Sequence, residues 1–248
     1  MKVNAIRFLL AVCPMVLSAT VAQGALFERA SEATQTSLIE LYTSEGCSSC
    51  PPAEEWLGQL AKHPRLWRDF VPVAFHVDYW DGLGWPDKFA RKQFTERQYA
   101  YSKAWGTESV YTPGFVVDGK EWAGRRSGLP ARPGAMPGIL RVKEIEAGKF
   151  TVTFLPREVG EGREWKYQIA ILCANVSSKI NGGENAGRKL IHDFVVLALD
   201  QKSGAASGVT FEWKRPADGD TGRLALAVWV SRAGEQTPIQ ALGGWWEP

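Results

Sequence analysis

The feature that most constrains this chain is a pair of cysteines set between a strand pattern and a helix pattern. Ser37 to Tyr42 is a short apolar run, and Cys47-Ser48-Ser49-Cys50 follows after a polar turn. Pro51 suits the first turn of a helix, where its missing N–H would have no partner anyway. Glu54 and Glu55 fall in that first turn, favourable to the helix dipole. Ala53, Trp56, Leu57 and Leu60 keep the spacing of one buried helical face, and His63-Pro64 ends it. Phe70 to Val77 is a second, nearly continuous apolar run, as expected of a strand covered on both faces. Strand, helix and strand make a βαβ unit, parallel and right-handed. The segments carrying Cys47 and Asp78 then leave the sheet at one edge, where open α/β sheets place their sites.

The cysteine pair carries the chemistry. A thiolate attacks a disulfide far faster than a thiol does, and the amino end of a helix stabilises that charge through free N–H groups and its dipole. Cys47 lies just before such an end, and Cys50 lies one turn on, at the spacing that closes a dithiol ring. Cys47 is therefore the expected nucleophile and the more exposed thiol, with Cys50 resolving.

Beyond the dithiol, Pro86 and Asp87 open a long helical pattern reaching about Trp105. Asp118-Gly119 between two strand runs is a two-residue hairpin signal. From Arg125 to Gly138 prolines alternate with glycines, which excludes a helix and reads as a linker. After it the pattern is all-β, with strand candidates at Ile139–Ile145, Lys149–Leu155, Glu164–Ala174, Lys189–Leu199, Gly208–Lys214 and Arg223–Ser231. Six or seven such strands suggest a compact sandwich. Cys173, within an apolar run, is expected to be a buried free thiol, and His76 and His192 read as structural residues.

Three stretches carry a family resemblance: LIELYTSEGCSSCPP from Leu38 to Pro52, FHVDYWDGLGW from Phe75 to Trp85, and VYTPGFVVDG from Val110 to Gly119. They resemble a bacterial family of secreted thioredoxin-fold proteins catalogued as a domain of unknown function. The resemblance implies an α/β thioredoxin-like domain over 37–124; the patterning beyond the 125–138 linker predicts a mainly β, sandwich-like domain over 139–248. It also implies a cis peptide before Pro113, packed against the dithiol, which leaves the backbone of Thr112 free to pair with an extended substrate. Glu40, in the strand below Cys47, is then a candidate buried acid to accept the proton of Cys50.

The amino terminus bounds the compartment. Lys2 and Arg7 precede an apolar run from Phe8 to Ala22, and small residues flank a cleavage point near Gly24. This is the pattern of a signal peptide over 1–24, implying a periplasmic or secreted protein with no membrane span once processed. Of the 29 basic residues, Lys2 and Arg7 leave with it, so 27 basic face 27 acidic residues. That balance suggests no nucleic-acid partner. The expected function is a thiol–disulfide oxidoreductase acting on protein thiols or disulfides with a redox partner protein, without a cofactor or bound metal. Two other classes compete: a copper-handling protein using the two thiolates and a histidine, and a non-catalytic interaction module.

Overall fold

The computed structural model describes residues 26–123, 128–158, 163–213 and 222–246. Residues 1–24, for which the sequence predicts a signal peptide, lie outside them. In chain order the first half contains β1 (Glu28–Ala30), β2 (Ser37–Thr43), α1 (Pro51–Gln59), β3 (Phe70–His76), α2 (Lys92–Ala104), β4 (Gly114–Val117) and β5 (Lys120–Glu121). It continues with β6 (Gly138–Glu146), β7 (Lys149–Pro156), β8 (Trp165–Ala174), β9 (Val176–Lys179) and β10 (Lys189–His192). The last elements are β11 (Val195–Gly204), β12 (Val209–Glu212), β13 (Arg223–Arg232) and β14 (Pro238–Trp245). Neither α-helix is long and apolar enough to cross a membrane.

The βαβ unit forms as the patterning requires. β2 and β3 are parallel with Leu41 opposite Ala74, and β4 joins the far edge of β2 antiparallel. Asp118 and Gly119 take φ of 49° and 78°, the left-handed pair that a two-residue hairpin between β4 and β5 demands. α2 begins later than the helical pattern suggests. Asp87 is occupied instead with accepting hydrogen bonds from the backbone N–H groups of Glu45 and Phe89, so the chain stays irregular up to Arg91.

The expected fold class, an α/β thioredoxin-like domain followed by a mainly β sandwich, is not what the chain adopts. Among the described residues the fold is mostly β, 44% strand against 14% helix, with two α-helices. The free edge of β3 is taken by a strand of the second half. Val195 of β11 pairs in parallel with Ala74, and the Ala74 N–H donates to the Phe194 carbonyl at 2.8 Å. β8, β13 and β14 continue from there antiparallel, giving one eight-stranded sheet in the order β14-β13-β8-β11-β3-β2-β4-β5. The sheet thus runs straight across the 125–138 segment, of which residues 128–137 are neither helix nor strand. The physical reason is the doubly buried β3. An apolar run covered on both faces needs a strand on each edge, and the pattern does not say where in the chain the second one lies.

A smaller sheet, β1-β6-β7-β12, covers one face of the large sheet. Tyr167, Ile169, Ile171 and Cys173 of β8 alternate onto it and meet Leu140, Val142, Phe150, Val152 and Phe154. Each fully buried side chain of this size stabilises the fold by roughly 1.5–3 kcal/mol. Ala170 and Leu172 point the other way, into the core around Leu38, Leu41 and Phe194. β14 is not among the strand candidates of the sequence. A Cβ at Gly243 would lie 2.4 Å from the ring of Trp67, so this glycine serves close packing within a strand. The run Lys189–Leu199 is two strands, divided at Asp193–Phe194, where Phe194 has a φ of 57°. β9 and β10 form a separate two-stranded ribbon.

Candidate functional site

Cys47 and Cys50 form a disulfide with Cα atoms 5.4 Å apart, closing the turn that enters α1. Cys50 is the N-cap residue, and its carbonyl accepts from the N–H groups of Ala53 and Glu54 at 2.8 and 3.1 Å. Pro51 and Pro52 occupy the first helical positions, as their lack of an N–H favours. Cys47 is not the exposed thiol the sequence suggests: both cysteines are fully buried. The cover comes from the loop between β9 and β10. The side-chain amide of Asn185, itself fully buried, donates to the carbonyls of Glu45 and Cys47 at 2.8 and 3.0 Å. The Glu184 carboxylate accepts from the Ser48 N–H at 3.1 Å, and Gly182 and Gly183 lie against Gly84 and Trp85.

The 79–85 loop borders the dithiol as strand order requires. The Trp80 Cβ lies 3.2 Å from where a Cβ on Gly46 would sit. Its indole N–H donates to the Thr112 hydroxyl at 2.8 Å, tying this loop to the segment holding the cis Thr112–Pro113 peptide. Trp80 thus links the residue before Cys47 to the segment that carries Thr112 and Pro113.

Glu40 does not belong to it. Successive side chains of β2 alternate, so Glu40 and Tyr42 face α2 while Thr43 faces α1. Arg97 of α2 clamps Glu40 through two bonds of 2.7 and 3.0 Å, and the hydroxyls of Tyr101 and Tyr42 donate to it at 2.6 and 3.0 Å. The carboxylate has no capacity left to serve the cysteines.

The acid on the dithiol's side of the sheet is Glu54, and it is part of a cluster that patterning did not reveal. Thr43 donates to Glu54 Oε1 at 2.5 Å, and His192 Nδ1 is hydrogen-bonded to Glu54 Oε2. His192 Nε2 and Glu45 Oε1 are 3.4 Å apart. Trp85 donates to Glu45 Oε2 at 2.7 Å, and His76 Nδ1 donates to Asp87 at 2.6 Å. The two imidazoles meet edge to face at 5.2 Å, with Phe89 against both.

The electrostatics follow from this geometry. Burial pushes the His192 pKa down, but its hydrogen bonds and charge pairing with Glu45 and Glu54 outweigh that and lift it to about 9. Burial raises Glu54 and Glu45, and in each case the contacts made by His192 reverse the sign and leave the carboxyl lowered. Asp87 is held at about 2: burial opposes ionisation, and the charge and hydrogen bond of His76 with two backbone N–H groups overcome it. Near neutral pH, His192 is thus an imidazolium between two carboxylates that flank the dithiol.

Comparison with known proteins places this arrangement in a family. The chain belongs to the family described as protein of unknown function (DUF1223), which matches residues 38–231. Comparison with curated proteins gives no match. Among solved structures, protein AGR_C_4864 from Agrobacterium tumefaciens is similar at 23% identity and a TM-score of 0.59, over 87% of this chain and 94% of that one. HBP35 of Porphyromonas gingivalis is similar at 14% identity and a TM-score of 0.54, over 86% and 76% of the respective chains. Both likenesses extend over both halves of the chain, in keeping with one continuous sheet.

Proposed function

We propose that this protein carries out thiol–disulfide exchange through Cys47 and Cys50, outside the cytoplasm and on protein substrates, with no cofactor beyond the disulfide itself. The observation that carries this reading is the disulfide's position at the amino end of α1, where the helix dipole favours a thiolate. His192 supports it by offsetting the charge of Glu45 and Glu54, two carboxylates that would otherwise oppose a thiolate.

In the oxidising direction a substrate thiolate attacks Cys47 Sγ, the Cys47–Cys50 bond breaks, and Cys50 departs as a thiolate. A second substrate thiolate then attacks the substrate sulfur of the mixed disulfide and releases Cys47, so two electrons pass from substrate to protein. The reverse sequence reduces a substrate disulfide, with Cys47 attacking and Cys50 resolving. Either direction requires the cover over the two buried cysteines to move, and the Asn185 loop, which holds the Cys47 carbonyl, is the segment we assign to that role.

Equilibration of the protein with glutathione redox buffers, read by thiol alkylation and mass spectrometry, gives the dithiol's reduction potential. A value within the range of known exchange proteins, about −270 to −120 mV, is expected. Cys50→Ser should accumulate mixed disulfides through Cys47. A potential below about −300 mV, together with no mixed disulfide in Cys50→Ser, would make the bond structural.

A further inference from the structure

The cluster behind the dithiol has a property that exchange chemistry does not use. Glu54 comes from the first turn of α1, His76 ends β3 and His192 ends β10, yet one donor atom of each lies within 4.8 Å of the other two. His76 and His192 are 0% and 1% exposed, and Glu54 7%. Beside them, His76 Nε2 is a buried atom without a hydrogen bond, whereas His192 Nε2 and Glu45 Oε1 face one another as an ion pair at 3.4 Å. A buried polar atom left unpaired costs about 1–3 kcal/mol. The unmatched imidazole of His76 beside Glu54 and His192 marks a place that a cation would satisfy.

The surroundings of each group fit the same end. His76 has its Nδ1 fixed by Asp87, Glu54 has Oε1 fixed by Thr43, and Glu45 has Oε2 fixed by Trp85. His76 is left with a free Nε2, while the second oxygens of Glu54 and Glu45 are held by His192. A carboxylate behind a histidine is the usual outer support of a metal-binding imidazole, setting its orientation and raising its basicity. Two imidazoles and one carboxylate, with no sulfur, suit a borderline divalent ion such as Zn²⁺. Both nearby sulfurs are bonded to one another, and a soft monovalent ion finds no thiolate here. Calcium and magnesium prefer a set made of oxygen alone. Glu54 also lines a surface groove of about 1000 Å³, which gives an ion a way in.

We propose that Glu54, His76 and His192 bind a divalent cation of the Zn²⁺ class behind the Cys47–Cys50 disulfide. The ion takes the place of the hydrogen bond between His192 and Glu54 and ties α1 and β3 to β10. The copper alternative drawn from the sequence joins a histidine to the thiolates; this site uses the histidines without them.

The test uses the mature chain, treated with chelator and fully oxidised, alongside the Cys47→Ser/Cys50→Ser double variant. Zn²⁺ is titrated calorimetrically, and thermal unfolding is followed with and without it. Stoichiometric binding and a raised Tm are expected in both proteins, because a ligand bound only by the folded state stabilises it. His76→Gln and His192→Gln should weaken binding by about 100-fold or more, and Asp87→Asn by roughly 10–100-fold, as loss of outer support does. Circular dichroism establishes that each variant is folded. If one is not, the absorption spectrum of the Co²⁺ form of the parent chain decides: nitrogen and oxygen ligation without a thiolate charge-transfer band is expected. The proposal is overturned by an oxidised parent chain that neither binds Zn²⁺ nor gains Tm. It is equally overturned by undiminished binding in folded His76→Gln and His192→Gln, or by binding lost with the cysteines. The disulfide plays no part as a ligand, so failure here leaves the exchange reading standing, and the converse holds.

Discussion

Two buried charged clusters lie on opposite faces of β2, and they are built differently. On the α2 face, Glu40 receives four hydrogen bonds from Arg97, Tyr101 and Tyr42, and the Arg97 guanidinium lies 5.1–5.4 Å from the ring centres of Trp229, Phe75 and Tyr101. Every charged atom of Glu40 is met. On the α1 face, Glu45, Glu54, His76 and His192 are as deeply buried, but His76 Nε2 is unmatched and His192 Nε2 meets Glu45 only at 3.4 Å. A saturated cluster holds elements together and has nothing left to offer a ligand. An unsaturated one at the same depth carries a cost that only a function or a bound partner explains.

The largest effect should come from breaking the saturated side. Arg97→Ala leaves the Glu40 carboxylate buried without its cation, which typically costs about 3–5 kcal/mol. Urea unfolding should show that loss, while Zn²⁺ affinity and dithiol potential of the folded protein stay as they are. Replacing Glu40 and Arg97 together by leucine and methionine should restore most of the stability, since a buried pair is often matched by apolar residues of similar volume. A mild cost for Arg97→Ala alone would mean that water reaches Glu40, and the contrast between the two faces would fail.

What could be read from the sequence divides along the same line. The βαβ unit, the hairpin at Asp118-Gly119 and the cysteine pair at the start of α1 are local, and short-range patterning shows them. His76 also stood where a site residue is expected, at the carboxyl end of a parallel strand. His192 did not, because Lys189–Leu199 reads as one strand and places it in the middle. The break at Phe194 lets β10 end at His192 and sends β11 to the edge of β3. That single turn hid both the shared sheet and the cluster. Glu40 is the acid that the resemblance suggests, in the strand below Cys47, and only the alternation of β2 combined with the position of α2 shows that it faces away from the dithiol. The cover over the dithiol was equally out of reach: Asn185 and Cys47 meet only through the tertiary fold.

A smaller effect sharpens the α1 side. Asn185→Ala removes both hydrogen bonds to the carbonyls of Glu45 and Cys47, worth roughly 1–3 kcal/mol given that those carbonyls lose a buried donor. The stability change is secondary to the kinetic one. Reduction of Cys47–Cys50 by dithiothreitol, followed by alkylation, should run about 5- to 100-fold faster if that energy holds the cover closed. An unchanged rate would mean that reagents reach the disulfide by another path, and the loop would not be its gate.

The smallest effect tests whether the α2 face carries a charge penalty at its margin. Asp118 sits in the hairpin turn, accepts from the Leu38 N–H at 2.9 Å, and is raised to about 6, chiefly by burial and further by the charge of Glu40. Between about pH 4 and 6 the folded protein therefore keeps a proton that the unfolded chain has released. Its contribution to stability is full below that window, declines as pH rises through it, and stays a constant penalty above. Asp118→Asn keeps the acceptor oxygen, tolerates the positive φ and carries no charge. It should stabilise the protein by roughly 1–2 kcal/mol at pH 8, a figure reduced for partial solvent access, and by nothing at pH 4. Urea midpoints measured for both proteins across pH 4–8 should converge at the acid end and separate through pH 5 and 6. Parallel curves would place Asp118 outside the field of Glu40, and a less stable Asp118→Asn at pH 8 would show that the turn needs the carboxylate's stronger acceptor more than it suffers from the charge.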